Sequence, residues 1–160
     1  YKQIPVISLE PSCFSAFEDE FHDFVEGWDP KLFYPFETFI SIHLKQSALP
    51  TPQKVALHGH CHQKPALKNT LKSLQRISNL QVLEIPTGCC GMAGSFGYEK
   101  EHTAFSKQIA GLKLIPFIQN LAPDVPIIAD GYSCRTQIHT QTGRKALHLA
   151  EWLLSNLSSS

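Results

Sequence analysis

Excess charge of either sign is absent: fourteen lysines and arginines offset fourteen aspartates and glutamates, and charged residues make up 18% of the chain. That is below the roughly 25% of an average soluble protein. A surface built for a polyanion and an acidic tail are both excluded, so nucleic acid is not an expected partner. No apolar run approaches the ~20 residues a membrane span needs, so no transmembrane segment is expected. The first residues lack a charged stretch followed by an apolar one, so no secretory leader is expected either. Closely spaced cysteine pairs of the Cys-x-x-Cys type, which zinc knuckles and thioredoxin-like sites use, do not occur. Nor does a Gly-x-Gly-x-x-Gly fingerprint or a Gly-Lys-Ser/Thr ending, and neither FAD, NAD nor a nucleotide phosphate is expected to bind here.

What is present is a chain of 160 residues, 42% apolar, which predicts one domain able to bury a core without disulfides. Its five cysteines are an odd number and Cys89 and Cys90 are adjacent. A disulfide framework fits this badly, and metal or redox chemistry in a reducing, cytoplasmic compartment fits it better.

Short β-branched runs predict strands at residues 4–9, 54–57, 81–85 and 125–130. Between them, apolar residues recur at helical spacing. Phe14, Phe17, Phe21 and Val25 form one stripe, with Ser15 and Glu18 spaced as a capping box, and Phe36, Phe39, Ile40, His43 and Leu44 form the next, ended by Pro50 and Pro52. Leu67, Leu71, Leu74 and Ile77 mark a third helix ending near Asn79, residues 104–121 carry one or two more around Pro116, and a last helix covers about 145–154. The alternation predicts an α/β domain: a mostly parallel, roughly four-stranded Rossmann-like sheet with helices on both faces.

Residues 4–13 and 125–134 align at an offset of 121, sharing Pro, Ile, Ser and Cys, which reads as an internal repeat. The first copy lies almost at residue 1, so the chain is expected to be the C-terminal fragment of a larger protein. Every expected strand is followed by cysteine: Cys13, Cys61, Cys89 with Cys90, and Cys134. In a parallel sheet those ends share one edge, where α/β folds bind ligands. Gathered thiolates select zinc, copper(I) or iron-sulfur clusters. The adjacent pair suits different atoms of one cluster. Gly88, Gly91, Gly94 and Gly97 around it allow close backbone approach and aim N–H groups at sulfur. His58, His60 and His62 flank Cys61 as ligands, proton partners or donors to a cluster, or as plain loop residues. Arg135, Gln137, His148 and Glu151 are lesser candidates, expected mainly on solvated helix faces.

Glu10-Pro11-Ser12-Cys13, His60-Cys61-His62-Gln63, the segment from Gly88 to Gly97, and Ser133-Cys134-Arg135 together resemble the cysteine-rich CCG domain. This domain occurs in a subunit of heterodisulfide reductase, in iron-sulfur subunits of glycolate and glycerol-3-phosphate oxidation, and at the C-terminus of fused FAD-linked 2-hydroxyacid dehydrogenases. The resemblance is nearest to the last group and covers almost the whole chain. It implies a single CCG domain over residues 1–160, with Cys61, Cys89, Cys90 and Cys134 as ligands of a 4Fe-4S cluster, cubane or non-cubane. Gly131 stands where the family signature has one more cysteine, and Cys13 is the preferred substitute. His60, His62, Gln63, Gly91, Ser133 and Arg135 are implied as supporting residues or alternative ligands, and Gly88, Gly94 and Gly97 as the cofactor-facing loop.

The expected function is electron transfer within a flavin-linked oxidoreductase acting on a small 2-hydroxy acid of the D-lactate, glycolate or 2-hydroxyglutarate type. Upstream FAD and ferredoxin-like domains would be its partners, with a quinone or other acceptor beyond, and the fragment alone is not expected to turn over. Its expected location is cytoplasmic, with a peripheral place at the inner face of the membrane as the alternative. Two other classes stay open: a structural or regulatory zinc module, zinc being a metal the isolated fragment would also take, and a thiol-disulfide redox protein.

Overall fold

The computed structural model describes residues 4–157. Its central sheet has four parallel strands in the order β4-β3-β5-β6, with β3 at Ser47–His58, β4 at Ile77–Glu84, β5 at Ile127–Ala129 and β6 at Ala146–Leu147. A separate parallel pair joins β1 (Val6–Ser8) to β2 (Phe33–Pro35). Seven helices intervene among the described residues: α1 (Pro11–Asp19), α2 (Phe36–His43), α3 (Leu67–Leu74), α4 (Thr103–Leu112), α5 (Leu114–Gln119), α6 (Tyr132–Thr142) and α7 (Leu149–Leu157).

The pleat of the central strands divides the core in two. Val55, Leu57 and Ile128 face Ile40 of α2, Leu74 of α3, and Leu149 and Trp152 of α7. Ala56, Ile127 and Ala129 face Ala110 of α4, Leu114 and Ile118 of α5, and Ile138 of α6. Helices therefore cover both faces, as the alternating pattern predicts. Each large apolar side chain buried in these layers contributes roughly 1.5–3 kcal/mol.

Several boundaries differ from the sequence expectation, each for a local reason. The strand at residues 4–9 forms, but outside the central sheet, whose fourth member is instead β6. β6 lies within the stretch expected as the last helix. Gly143 closes α6 in the left-handed conformation, and His148 then caps α7, so only a short extended link fits between. Ser15 and Glu18 lie inside α1, which starts at Pro11 after Glu10. Pro50 and Pro52 sit within β3, at a register break between Ala48 and Gln53 that spares their missing N–H groups. Opposite, in β4, Asn79 adopts φ 67° and donates from Nδ2 to Leu49 O (2.9 Å). The break between α4 and α5 falls at Lys113, and Pro116 is accommodated in the first turn of α5. Helix α6 carries no clear helical stripe in the sequence, because its buried positions include Gln137 and its apolar ones are only Cys134 and Ile138.

The aligned segments adopt one local structure. At the same offset of 121, β1 and α1 match β5 and α6 at both strand ends and at the first helical residue. Each pair is followed by a parallel strand and a further helix, β2-α2 or β6-α7.

Candidate metal centre

Strand order brings the cysteines together. Cys61 follows the central strand β3, Cys89 and Cys90 follow its neighbour β4, and Cys134 is the third residue of α6, after the neighbour on the other side, β5. Cys90 and Cys134 are 5% and 1% exposed, Cys89 is half-buried, and Cys61 is exposed at the rim. Cys90 and Cys134 are neighbours, and their interaction draws the Cys90 pKa below the ordinary thiol value against desolvation while, with burial, it drives the Cys134 pKa up. Burial, then the neighbouring Cys89, push the Cys61 thiol up. Cys90, Cys61 and Cys89 thus all act on the Cys134 thiol. Cys13 is exposed, near the start of α1.

The loop between β4 and α4 is held by features only some of its glycines explain. Gly91 has φ 91°, and a Cβ there would meet Ser106 O at 2.2 Å, so no other residue fits. Its N–H donates to Cys89 Sγ (3.3 Å). Gly97 abuts Met92 and Ser106, which makes it a packing position, while Gly94 has φ 66° in open space and Gly88 has nothing near its Cβ direction. Gln137 of α6 pins the loop from below, donating to Cys90 O (3.1 Å), Ser106 O (3.2 Å) and Ser106 Oγ (3.0 Å). It is buried, not on the solvated face expected of it, and it lies on the one long helix that the sequence pattern conceals.

The histidines divide by role. His58 is buried, its Nδ1 bonded to Thr87 Oγ1 (2.9 Å), and its Nε2 has no hydrogen-bond partner among the described residues, although it lies beside Cys90. His60 is buried and caps the turn Cys61–Gln63: its Nδ1 accepts from His62 N–H (3.2 Å), and Gln63 Oε1 accepts from His60 N–H (3.1 Å). Desolvation lowers the His60 pKa, opposed by Glu10. His62 is exposed, with its ring 5.3 Å from that of His60.

Beneath the thiols runs a polar network that joins both parts of the chain. Gln63 Nε2 donates to Asp130 Oδ2 (2.8 Å) and Glu37 Oε2 (3.5 Å), Asp130 Oδ1 accepts from Leu149 N–H (2.9 Å), and His148 stands 3.5 Å from the same oxygen. Burial pushes the Glu37 carboxyl up. Arg135 ties α6 back to β5 through Ala129 O (2.9 Å) and Asp130 O, and Ser133 is half-buried beside Cys134. His148 is buried, not solvated. It caps α7 at Ala150 N–H (3.0 Å), and its own N–H is bound by Glu151 (2.8 Å). Glu37 and Asp130 are not marked in the sequence, since a lone acid in an apolar run carries no spacing signal.

Among the described residues, no three His, Cys, Asp or Glu side chains close on a single metal ion, and no helix is long and apolar enough to cross a membrane. Four thiols and an unpartnered, buried imidazole nitrogen are nonetheless soft-metal donor chemistry. The fold and this edge define a cysteine-rich α/β module with its thiols converging at the C-terminal end of a parallel sheet. The family model described as CCG, cysteine-rich domain, matches residues 55–139, and the chain belongs to that family. It is 28% identical to the D-2-hydroxyglutarate dehydrogenase of Pseudomonas putida, over 94% of this chain and 15% of that protein. It is 29% identical to a subunit of the anaerobic glycerol-3-phosphate dehydrogenase of Escherichia coli K12, over 92% of this chain and 39% of that protein. The chain thus spans well under half the length of these curated relatives. No solved structure matches it.

Proposed function

We propose that the chain is an iron-sulfur electron-transfer module belonging to a larger flavin-linked dehydrogenase of a small 2-hydroxy acid, and that residues 1–160 form one CCG domain of it. The observation that carries this reading is the meeting of Cys61, Cys89, Cys90 and Cys134 from three adjacent parallel strands. A donor set spread wider than one ion yet gathered at one edge suits a group with several metal atoms. The relatives' names support the oxidoreductase class, and the short share of each that this chain covers supports further domains or subunits as partners. Flavin chemistry would lie in those parts, and a quinone or similar acceptor would take the electrons.

When bound, the cluster supplies one-electron transfer. The chain's own residues do the rest. The four cysteines would hold it as thiolates, each giving up its proton. The Gly91 N–H stabilises negative charge on Cys89, and Gln137 holds the Cys90 backbone in place. Anaerobic reconstitution of the chain with iron and sulfide tests the reading. Near-stoichiometric sulfide and a low-temperature paramagnetic signal on reduction are expected. Zinc uptake without sulfide would replace it with the zinc-module reading. The Cys90–Cys134 contact favours a second reading, thiol-disulfide exchange, for which reversible loss of two thiols on mild oxidation without metal uptake would be the signature.

A further inference from the structure

Gly131 precedes α6 and is buried. A Cβ built there would lie 2.4 Å from His60 Cδ2, and 3.2 Å from both His60 Nε2 and Cys134 Sγ. The side-chain volume of residue 131 is therefore already occupied by an imidazole, and that volume borders the Cys134 sulfur. His60 is fixed there from its other end, because Nδ1 accepts the His62 N–H while the backbone N–H of His60 is held by Gln63. An imidazole nitrogen that accepts a hydrogen bond carries no proton, so in the neutral ring the proton sits on Nε2. A protonated nitrogen donates to sulfur and does not bind iron.

We propose that His60 stands where a further thiol would, as a positioning residue that fills the space at 131 and directs Nε2–H to the thiolates, so that the site has four cysteine ligands and one imidazole donor. This rests on the cluster reading for the donor role but not for the shared volume. Cys13 is then not needed to complete the site.

The two halves are tested separately on the full chain. In metal-free protein, Gly131→Cys alone is expected to lower the unfolding temperature, because the new side chain meets a ring that cannot turn away. Gly131→Cys with His60→Ala is expected to unfold at a higher temperature than Gly131→Cys alone. A double variant less stable than either single one, the two losses simply adding, would overturn the shared volume. His60→Asn keeps an acceptor for the His62 N–H, since asparagine is a good N-cap, but it lacks Nε2. After anaerobic reconstitution with iron and sulfide, this variant should hold the wild-type iron and sulfide content at a lower midpoint potential, as loss of a donor to sulfur lowers it. Loss of iron would make His60 a ligand, and an unchanged potential would make it a bystander; either result overturns the donor role. If the wild-type chain takes up no iron and sulfide, the proposed function and the donor role fall together, while the unfolding comparison still decides whether His60 and residue 131 share one volume.

Discussion

The chain contains two copies of one β-α-β-α unit, and only in the second is the helix cysteine buried against the other thiols. In both, cysteine is the third residue of the first helix. Cys134 is 1% exposed, whereas Cys13 is exposed. The difference lies in the neighbours. β5 has β3 along its other edge, which brings the loops after β3 and β4 over the start of α6, while β1 pairs among the described residues with β2 alone. A strand-to-helix turn ending in Ser-Cys thus supplies one cysteine, and the adjacent strands bring the others to it. The two units are also clasped: Glu10 Oε2 accepts from Tyr132 N–H (2.8 Å) at the start of α6, and the Leu9 carbonyl meets His148 Nε2 (2.9 Å).

Truncation should separate the units most strongly. Trp152→Ala empties a fully buried place in the core and should cost about 3–5 kcal/mol in denaturant unfolding. Trp28 belongs to the half-buried aromatic group of Phe17, Phe21 and Phe33, so Trp28→Ala should cost roughly half as much. Equal losses would mean that the two units are equally embedded. Gln137→Ala strands Cys90 O and Ser106 O. It should cost about 1–3 kcal/mol and weaken metal uptake. At the same offset α1 carries Ala16, whose methyl group has no polar atom with which to hold a loop.

Glu10→Ala removes the cap across the units and should cost about 1 kcal/mol, read by the same unfolding assay. The smallest effect is pH-dependent. The Glu37 pKa is raised in the folded state, chiefly by burial among Gln63, Asp130 and His148. The folded state therefore holds a proton that the unfolded chain releases above its ordinary value near 4.5, and stability falls as pH rises from there through the folded pKa. Glu37→Gln should raise the unfolding temperature at neutral pH, with the gain shrinking below pH 4.5. A gain that is constant with pH would locate its cause elsewhere.

Much of this is legible in the sequence because it rests on local signals. The four strand runs, the helical stripes at Phe36 and Leu67, and the repeat ending at Cys13 and Cys134 all depend on spacing within a few residues. The hidden features depend on partners far along the chain. Gln137 looks like a surface residue until the loop bearing Cys90 lies against it, and β6 reads as helix until Gly143 and His148 confine it. Gly131 reads as a missing cysteine, and only the position of His60 explains why nothing larger stands there.

The most direct test of the convergent site is iron and sulfide content after anaerobic reconstitution of two single variants side by side, Cys134→Ser and Cys13→Ser. Cys134→Ser is expected to lose the cluster and its paramagnetic signal, while Cys13→Ser retains both at the wild-type level. Equal loss in the two variants, or retention in Cys134→Ser, would contradict a site that takes its helix cysteine from the second unit and not from the first.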